Sequence, residues 1–295
     1  MSQIDLPLRW AIIGVGRAGR ARARAIQRDP RSTLVAVHRG KHAEATGAPI
    51  LPLDEAMEAA DAVAICTPND THVALAEAVL MAGKHVLVEF PLAPSSDEAR
   101  HLFSLADRAN RVLHVEHIEL LHAPQRILRS HARPELQQRM TMNFERQGSG
   151  DEDAATILGT NISRLHRLMD IGGPIASIEE IDISPGRVRA SFTFRSGIPG
   201  SLDFQAGPYF SRQTQFVVDA TRHVWKLHND ALYRGRSPLT TLEATPLFQQ
   251  DQLAATAQIL KEKAHYVDRE RIFHALDVAK IIASGTLGSV PSGAA

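Results

Sequence analysis

Glu89, Phe90, Glu116, His117 and Glu119 are the residues from which this sequence could build a reactive edge. Two short apolar runs lead into them, His85-Val86-Leu87-Val88 before the first pair and Val112-Leu113-His114-Val115 before the other three. Runs of this kind read as strands buried on both faces of a parallel sheet, and ligands bind outside the carboxyl ends of such strands. Pro91 ends the first run, because proline lacks the amide that a central strand must donate. Carboxylates here could hold polar atoms of a ligand, counter a cation or move a proton; a phenyl ring cannot move a proton or polarise a hydroxyl. A second group sits on a helix expected over 154–171, which carries Asn161, Ser163, Arg164, His166, Arg167 and Asp170. His166 and Asp170 are four apart, share a face and are expected to pair within the helix.

The elements that must position these residues begin with Gly14-Val15-Gly16-Arg17-Ala18-Gly19. It follows a strand (Arg9-Trp10-Ala11-Ile12-Ile13) and opens a helix over 17–29 closed by Pro30; a second strand, 33–38, comes next. In a strand–turn–helix–strand unit, the first glycine permits the tight turn and the second lets backbone approach a diphosphate. The third lets the helix pack closely, with its N-terminus facing the phosphate charge. This context predicts dinucleotide binding. The second strand ends in His38-Arg39-Gly40-Lys41, without the acid that usually holds an NAD ribose. Arg39 can grip a 2′-phosphate through paired donors, so NADPH is expected, with NADH left open. Arg39 and Lys41 as solvated loop charges are the alternative. Arg17 is expected to point toward the diphosphate or the substrate.

Composition bounds the rest. A chain of 295 residues suggests two domains. Lys+Arg and Asp+Glu both total 33, so no global field draws the protein to nucleic acid or membrane. The longest apolar runs are strand-length, and MSQIDLPLRW has no signal-peptide pattern. The single Cys66 excludes an intrachain disulfide and a cysteine-cluster metal site. It follows Ala62-Val63-Ala64-Ile65 and is expected as a small buried thiol. A reducing cytoplasm is the expected location, and no metal is expected.

TPNDTHVALAEAVLMAGKHVLVEFPLA, residues 67–93, resembles the core motif of the Gfo/Idh/MocA oxidoreductase superfamily, whose members carry TPN..H, then AGKHV, then EKP. The resemblance implies that Thr67, Pro68, Asn69 and His72 lie along the cofactor and that Glu89 sits near the nicotinamide ribose. Sugar and polyol dehydrogenases of that family use the lysine of EKP as an acid/base group, and here the position is Phe90. GVGRAG, AGKHVLVE, VLHVEHIELL and Ile162-Ser163-Arg164-Leu165 resemble the biliverdin reductase branch in the same order. That branch has EYP in place of EKP, so Phe90 departs from its tyrosine as well.

The resemblance implies an α/β architecture: an N-terminal Rossmann doubly wound parallel sheet over 1–122, then a C-terminal α+β domain over 123–295 with a largely antiparallel, open-faced sheet. Alternation supports that sheet, with Val188, Ala190, Phe192 and Phe194 opposing Arg187, Arg189, Ser191, Thr193 and Arg195. Strands are expected over 137–146, 177–183, 187–195, 200–205, 213–220 and 223–227. Two helices, 250–263 and 268–284, are expected to close the second domain, and 285–295 to form a frayed tail. The charged open face suggests a monomer or weak homodimer, with Arg187, Arg189 and Arg195 solvated.

The catalytic His and Asp that sugar-type relatives carry on the 154–171 helix fall near Ile162 and Leu165, so that pair is missing. The resemblance therefore implies an NADPH-dependent reductase of a linear tetrapyrrole. Arg164 is the leading substrate residue, binding a propionate or relaying a proton, with Arg167, Phe90 and Arg17 beside it. Glu116 and Glu119 are expected to hold the nicotinamide carboxamide or counter a cationic bilin, or else to be ordinary strand-end acids. His117 is expected as a cofactor contact or a packed histidine. Two alternatives stay open: an enzyme acting on a sugar or other small carbonyl compound, and a non-catalytic NADP-binding sensor.

Overall fold

The computed structural model describes residues 6–131, 137–220, 224–239, 241 and 243–291. The chain divides into two compact units, residues 1–118 with 244–268, and residues 119–243 with 269–295.

In the first unit β1 (Leu8–Ile13), α1 (Arg17–Arg28), β2 (Ser32–His38), α2 (Leu53–Ala59), β3 (Ala62–Ile65), α3 (His72–Met81), β4 (His85–Val88), α4 (Ser96–Ala109) and β5 (Leu113–Val115) alternate along the chain. The five strands form a parallel sheet in the order β2-β1-β3-β4-β5. The chain leaves β1 toward β2 and then crosses to β3 on the other side, so the switch point lies between the carboxyl ends of β1 and β3. The apolar runs become strands because both sheet faces are covered: Trp10, Ile12, Val63, Ile65, Val86 and Leu87 are fully buried. Ser95 caps α4, accepting from the Glu98 amide at 3.3 Å while its hydroxyl donates to the Glu98 carboxylate at 2.6 Å. Cys66 is buried and free.

The second unit begins in the short helix α5 (Ile118–Leu121) and continues through α6 (Ala123–His131), β6 (Gln137–Gln147) and α7 (Ala154–Gly172). There follow β7 (Ile175–Ser184), β8 (Arg187–Phe194), β9 (Pro199–Gly207), β10 (Gln213–Ala220), β11 (Val224–His228), β12 (Ala231–Arg234) and β13 (Ser237–Leu239). With the terminal β14 (Gly288–Ser289) they make a nine-stranded sheet, antiparallel except where β6 runs parallel to β9. Met140, Met142, Phe192, Phe194, Leu202, Phe204 and Phe216 fill its buried face, under α7. The opposite face carries polar pairs. Arg187 donates to Asp203 at 2.9 Å and Arg189 pairs with Asp182, so these two arginines are cross-strand ion-pair partners rather than merely solvated.

Three expectations are corrected. The helix expected over 250–263 is α8 (Leu247–Ile259), and it belongs to the first unit, not the second. Ala255 and Ile259 join the core around Trp10, Ile12 and Ile26, so the chain returns to the Rossmann unit before α9 (Arg269–Ala283) packs on α7. The domain division is therefore not a single cut near 122. The tail is not wholly frayed, because Gly288–Ser289 pairs with β7; residues 292–295 lie outside the described residues. His166 and Asp170 do not simply pair with each other: Arg271 donates to both, at 2.9 and 2.7 Å, and Arg129 also binds Asp170. Residue 223, expected to start a strand, is also outside the described residues.

Candidate functional site

The glycine turn after β1 meets the physical demands its sequence implied. Gly14 has φ +90°, and a Cβ there would lie 2.7 Å from Thr67 Cγ2 and 2.8 Å from the Cys66 carbonyl oxygen. A Cβ on Gly19 would lie 2.1 Å from the Gly14 oxygen, so β1 and α1 could not approach as they do. Gly16 differs: nothing lies within 4 Å of its missing Cβ, and no side chain caps α1 there. An exposed, uncapped helix start beside an unobstructed glycine fits a diphosphate. The Gly14 and Val15 amides donate to the carbonyls of His38 and Arg39 at 2.9 Å, which draws the end of β2 across the turn. Arg39 and Arg17 are exposed beside it, and Ala18 is half-buried. The residues present therefore fit a dinucleotide.

Across the switch point, Thr67 is half-buried and Pro68 and Asn69 are exposed. His72 lies deeper than these three residues. Its ring is fully buried, with Nδ1 2.8 Å from the Pro91 carbonyl oxygen and Nε2 3.0 Å from that of Thr67. It ties the loop after β3 to the loop after β4.

At the ends of β4 and β5 the interior becomes charged. Arg22, fully buried, lies 2.8 Å from Asp251 on α8 and 3.4 Å from Glu89. Asp251 also accepts from the Tyr266 hydroxyl at 2.6 Å and lies 3.0 Å from His114 Nε2. The Tyr266 hydroxyl in turn accepts from the His117 amide at 2.8 Å, fixing the loop that follows β5. Phe90 packs against the His117 ring, centroids 4.6 Å apart. Burial opposes the ionised form of Asp251, but Arg22 and His114 outweigh it and hold the carboxyl well below the usual range. Glu116 goes the other way: burial, then the neighbouring Glu89 and Asp251, push its carboxyl well above the usual range. Burial also raises Glu89, against the pull of Arg22. Glu116 thus keeps its proton where an exposed glutamate is ionised.

Glu119 belongs to a different environment, in the second unit. Arg164 and Arg167, three apart on α7, approach its two oxygens at 3.0 and 3.2 Å, and Arg212 stands 3.5 Å away. Burial would raise this carboxyl, but Arg164, Arg167 and Arg212 together lower it. The Arg164 guanidinium lies over the Phe144 ring at 4.5 Å, and burial pulls its pKa down to about 10. The structure thus joins Arg164, Arg167 and Glu119, and places Glu116 with Glu89.

Arg22, His114, Asp251, Tyr266 and Arg212 were missed by sequence reasoning. Only Arg22 left a local trace, a charge on the helix face that carries Ala25 and Ile26. Among the described residues no three His, Cys, Asp or Glu side chains are placed to hold a metal, and no helix is long and apolar enough to cross a membrane.

Residues 8–117 match the oxidoreductase family with an NAD-binding Rossmann fold. Among curated proteins, biliverdin reductase A of Mus musculus is 32% identical over 57% of this chain and 59% of its own length. UDP-N-acetylglucosamine 3-dehydrogenase of Acidithiobacillus ferrooxidans is 32% identical over 41% of each. The chain thus spans only about half the length of these relatives. The crystal structure of biliverdin reductase from Synechocystis in complex with biliverdin and NADP+ is 26% identical and covers 95% of this chain and 99% of its own, with a TM-score of 0.80. The glycine turn and the β4 and β5 strand ends lie within the matched 8–117 stretch, and a biliverdin reductase and a nucleotide-sugar dehydrogenase are both among the proteins that this chain is similar to.

Proposed function

We propose that the protein is an NADPH-dependent reductase of a linear tetrapyrrole of the biliverdin type. The observation that carries this reading is at the end of β4. There Phe90, packed on His117, stands where the motif of sugar-oxidising members places a proton-transferring lysine. Reduction of a conjugated bilin at its central methine carbon needs no such lysine. It needs an aligned hydride donor, positive charge for two propionates and a proton for a pyrrole nitrogen.

A bound nicotinamide coenzyme supplies the hydride. The turn from Gly14 to Gly19 holds its diphosphate, Arg39 its 2′-phosphate, and Thr67, Pro68, Asn69 and Glu89 the remainder. Protonated Glu116 offers a hydrogen bond to the carboxamide that an ionised glutamate could not. Arg164 and Arg167 bind a propionate. Arg164, with its proton loosened by burial, also relays one from solvent to the pyrrole nitrogen.

The likeness to the UDP-N-acetylglucosamine 3-dehydrogenase supports a second reading, a sugar-type substrate. Purified protein mixed with NADPH and biliverdin separates the two. A shift of the blue pigment to yellow with matched NADPH loss is expected; turnover of an aldose, inositol or nucleotide sugar with none of biliverdin would replace the first reading by the second. Arg39→Asp should lower kcat/KM with NADPH about tenfold or more relative to NADH; an unchanged ratio removes Arg39 from coenzyme choice.

A further inference from the structure

The three guanidiniums around Glu119 leave a surplus of two positive charges in the second unit. Other acids there do not remove it. Asp170 is taken by Arg129 and Arg271 and Glu152 by Arg146, while Asp230, its side chain 88% exposed, reaches Arg167 only as a weak, solvent-screened charge. Arg164 Nε and Arg167 Nη2 are buried without a hydrogen-bond partner, although both side chains are more than nine-tenths buried. Buried donors of this kind are costly unless something accepts from them.

Arg212 is held differently. Its contact with Glu119 is the longest of the three, to the same oxygen that Arg164 approaches at 3.0 Å, and its side chain is 55% exposed. It ends the connection between β9 and β10, residues 208–212. The base of that connection is anchored: the Phe210 amide donates to the Gly207 carbonyl, and the Phe210 ring packs on Gly207 so closely that a Cβ there would meet it at 3.0 Å. Tyr209 projects from the same connection and is 95% exposed, the most exposed large apolar ring of the described residues.

We propose that Glu119 is an internal stand-in for a ligand carboxylate, and that Arg212 and Tyr209 form an arm that exchanges it for a carboxylate on a flat, conjugated dianion. Arg212 changes partner from Glu119 to the ligand while Arg164 and Arg167 stay in place, and the ring of Tyr209 covers one face of the ligand. The choice of a tetrapyrrole as that dianion rests on the function proposed above; the exchange itself rests on the charge surplus.

The exposed position of Arg212 makes Arg212→Ala a variant that folds, which a melting curve checks. Biliverdin and its dimethyl ester, in which both propionates are neutral, are the probes. With biliverdin, Arg212→Ala should raise KM about tenfold, more than it lowers kcat, and leave NADPH affinity as it was. With the diester, wild-type protein should already show the higher KM, and the substitution should add nothing. Equal biliverdin KM values for the two proteins, or a loss that persists on the diester, overturn the proposal. If wild-type protein neither binds nor reduces biliverdin, the functional reading has failed, and inorganic sulfate then decides the exchange. A rise in wild-type melting temperature that Arg212→Ala lacks sustains it, and an equal response in both overturns it.

Discussion

The two charged clusters are built with opposite surpluses. In the Rossmann unit one guanidinium, Arg22, faces Asp251, Glu89 and Glu116 in a closed interior. In the second unit one carboxylate, Glu119, faces three guanidiniums, one of them half in solvent. The first cluster can only balance itself by keeping protons on its acids, which is why Glu116 and Glu89 rise while Asp251 falls. The second cannot shed charge so easily, because even Arg164 keeps its proton up to about 10, and so it balances by attracting an anion. The difference teaches what each can do: one stores protons and fixes geometry, and the other recognises negative charge.

The largest effect should come from breaking the closed cluster. Asp251→Asn leaves Arg22 without its nearest counter-ion, and loss of a partner from a buried ion pair costs about 3 kcal/mol or more. Urea unfolding measures this; a loss below about 1 kcal/mol would mean that Glu89 can replace Asp251 and that the two clusters are less different than drawn.

The next effect belongs to the open cluster. If the proposed function holds, Arg164→Ala should cut bilin reduction about 100-fold, through lost proton delivery and propionate binding, and leave NADPH affinity intact. An unaltered rate would take Arg164 out of the mechanism.

A third effect sharpens the contrast through pH. Burial raises Glu116 in the folded protein, so folding retains a proton that the unfolded chain releases above its ordinary carboxyl range. Stability from this group is therefore complete below that range and declines as pH rises through it, by at most about 1.4 kcal/mol per pH unit. Glu116→Gln should match wild type near pH 4 and become relatively more stable toward pH 8 in denaturant titrations; parallel pH curves would mean that Glu116 is ionised in place.

Much of this was legible in local pattern. The Gly14–Gly19 turn, the strands ending at Val88 and Val115, the α7 helix with Arg164 and Arg167, and the alternation of β8 each depend on a few adjacent residues, whose spacing decides which face is buried. His72 was visible as a motif residue, but whether its ring faces a ligand or two backbone carbonyls depends on loops that the motif does not describe.

What the sequence determined by itself is the set of short-range choices: a glycine turn for a diphosphate, no acid after β2, a phenyl ring in place of an ammonium, and two arginines three apart on one helix. What only the tertiary structure decided is which charges meet. Asp251 reaches Arg22 across more than two hundred residues, and Arg212 reaches Glu119 from a connection between two strands, with no periodicity to announce either. The physical reason is that periodicity records how a segment buries its own apolar face, whereas a buried charge is tolerated only through a partner, and the fold alone determines which partner is near.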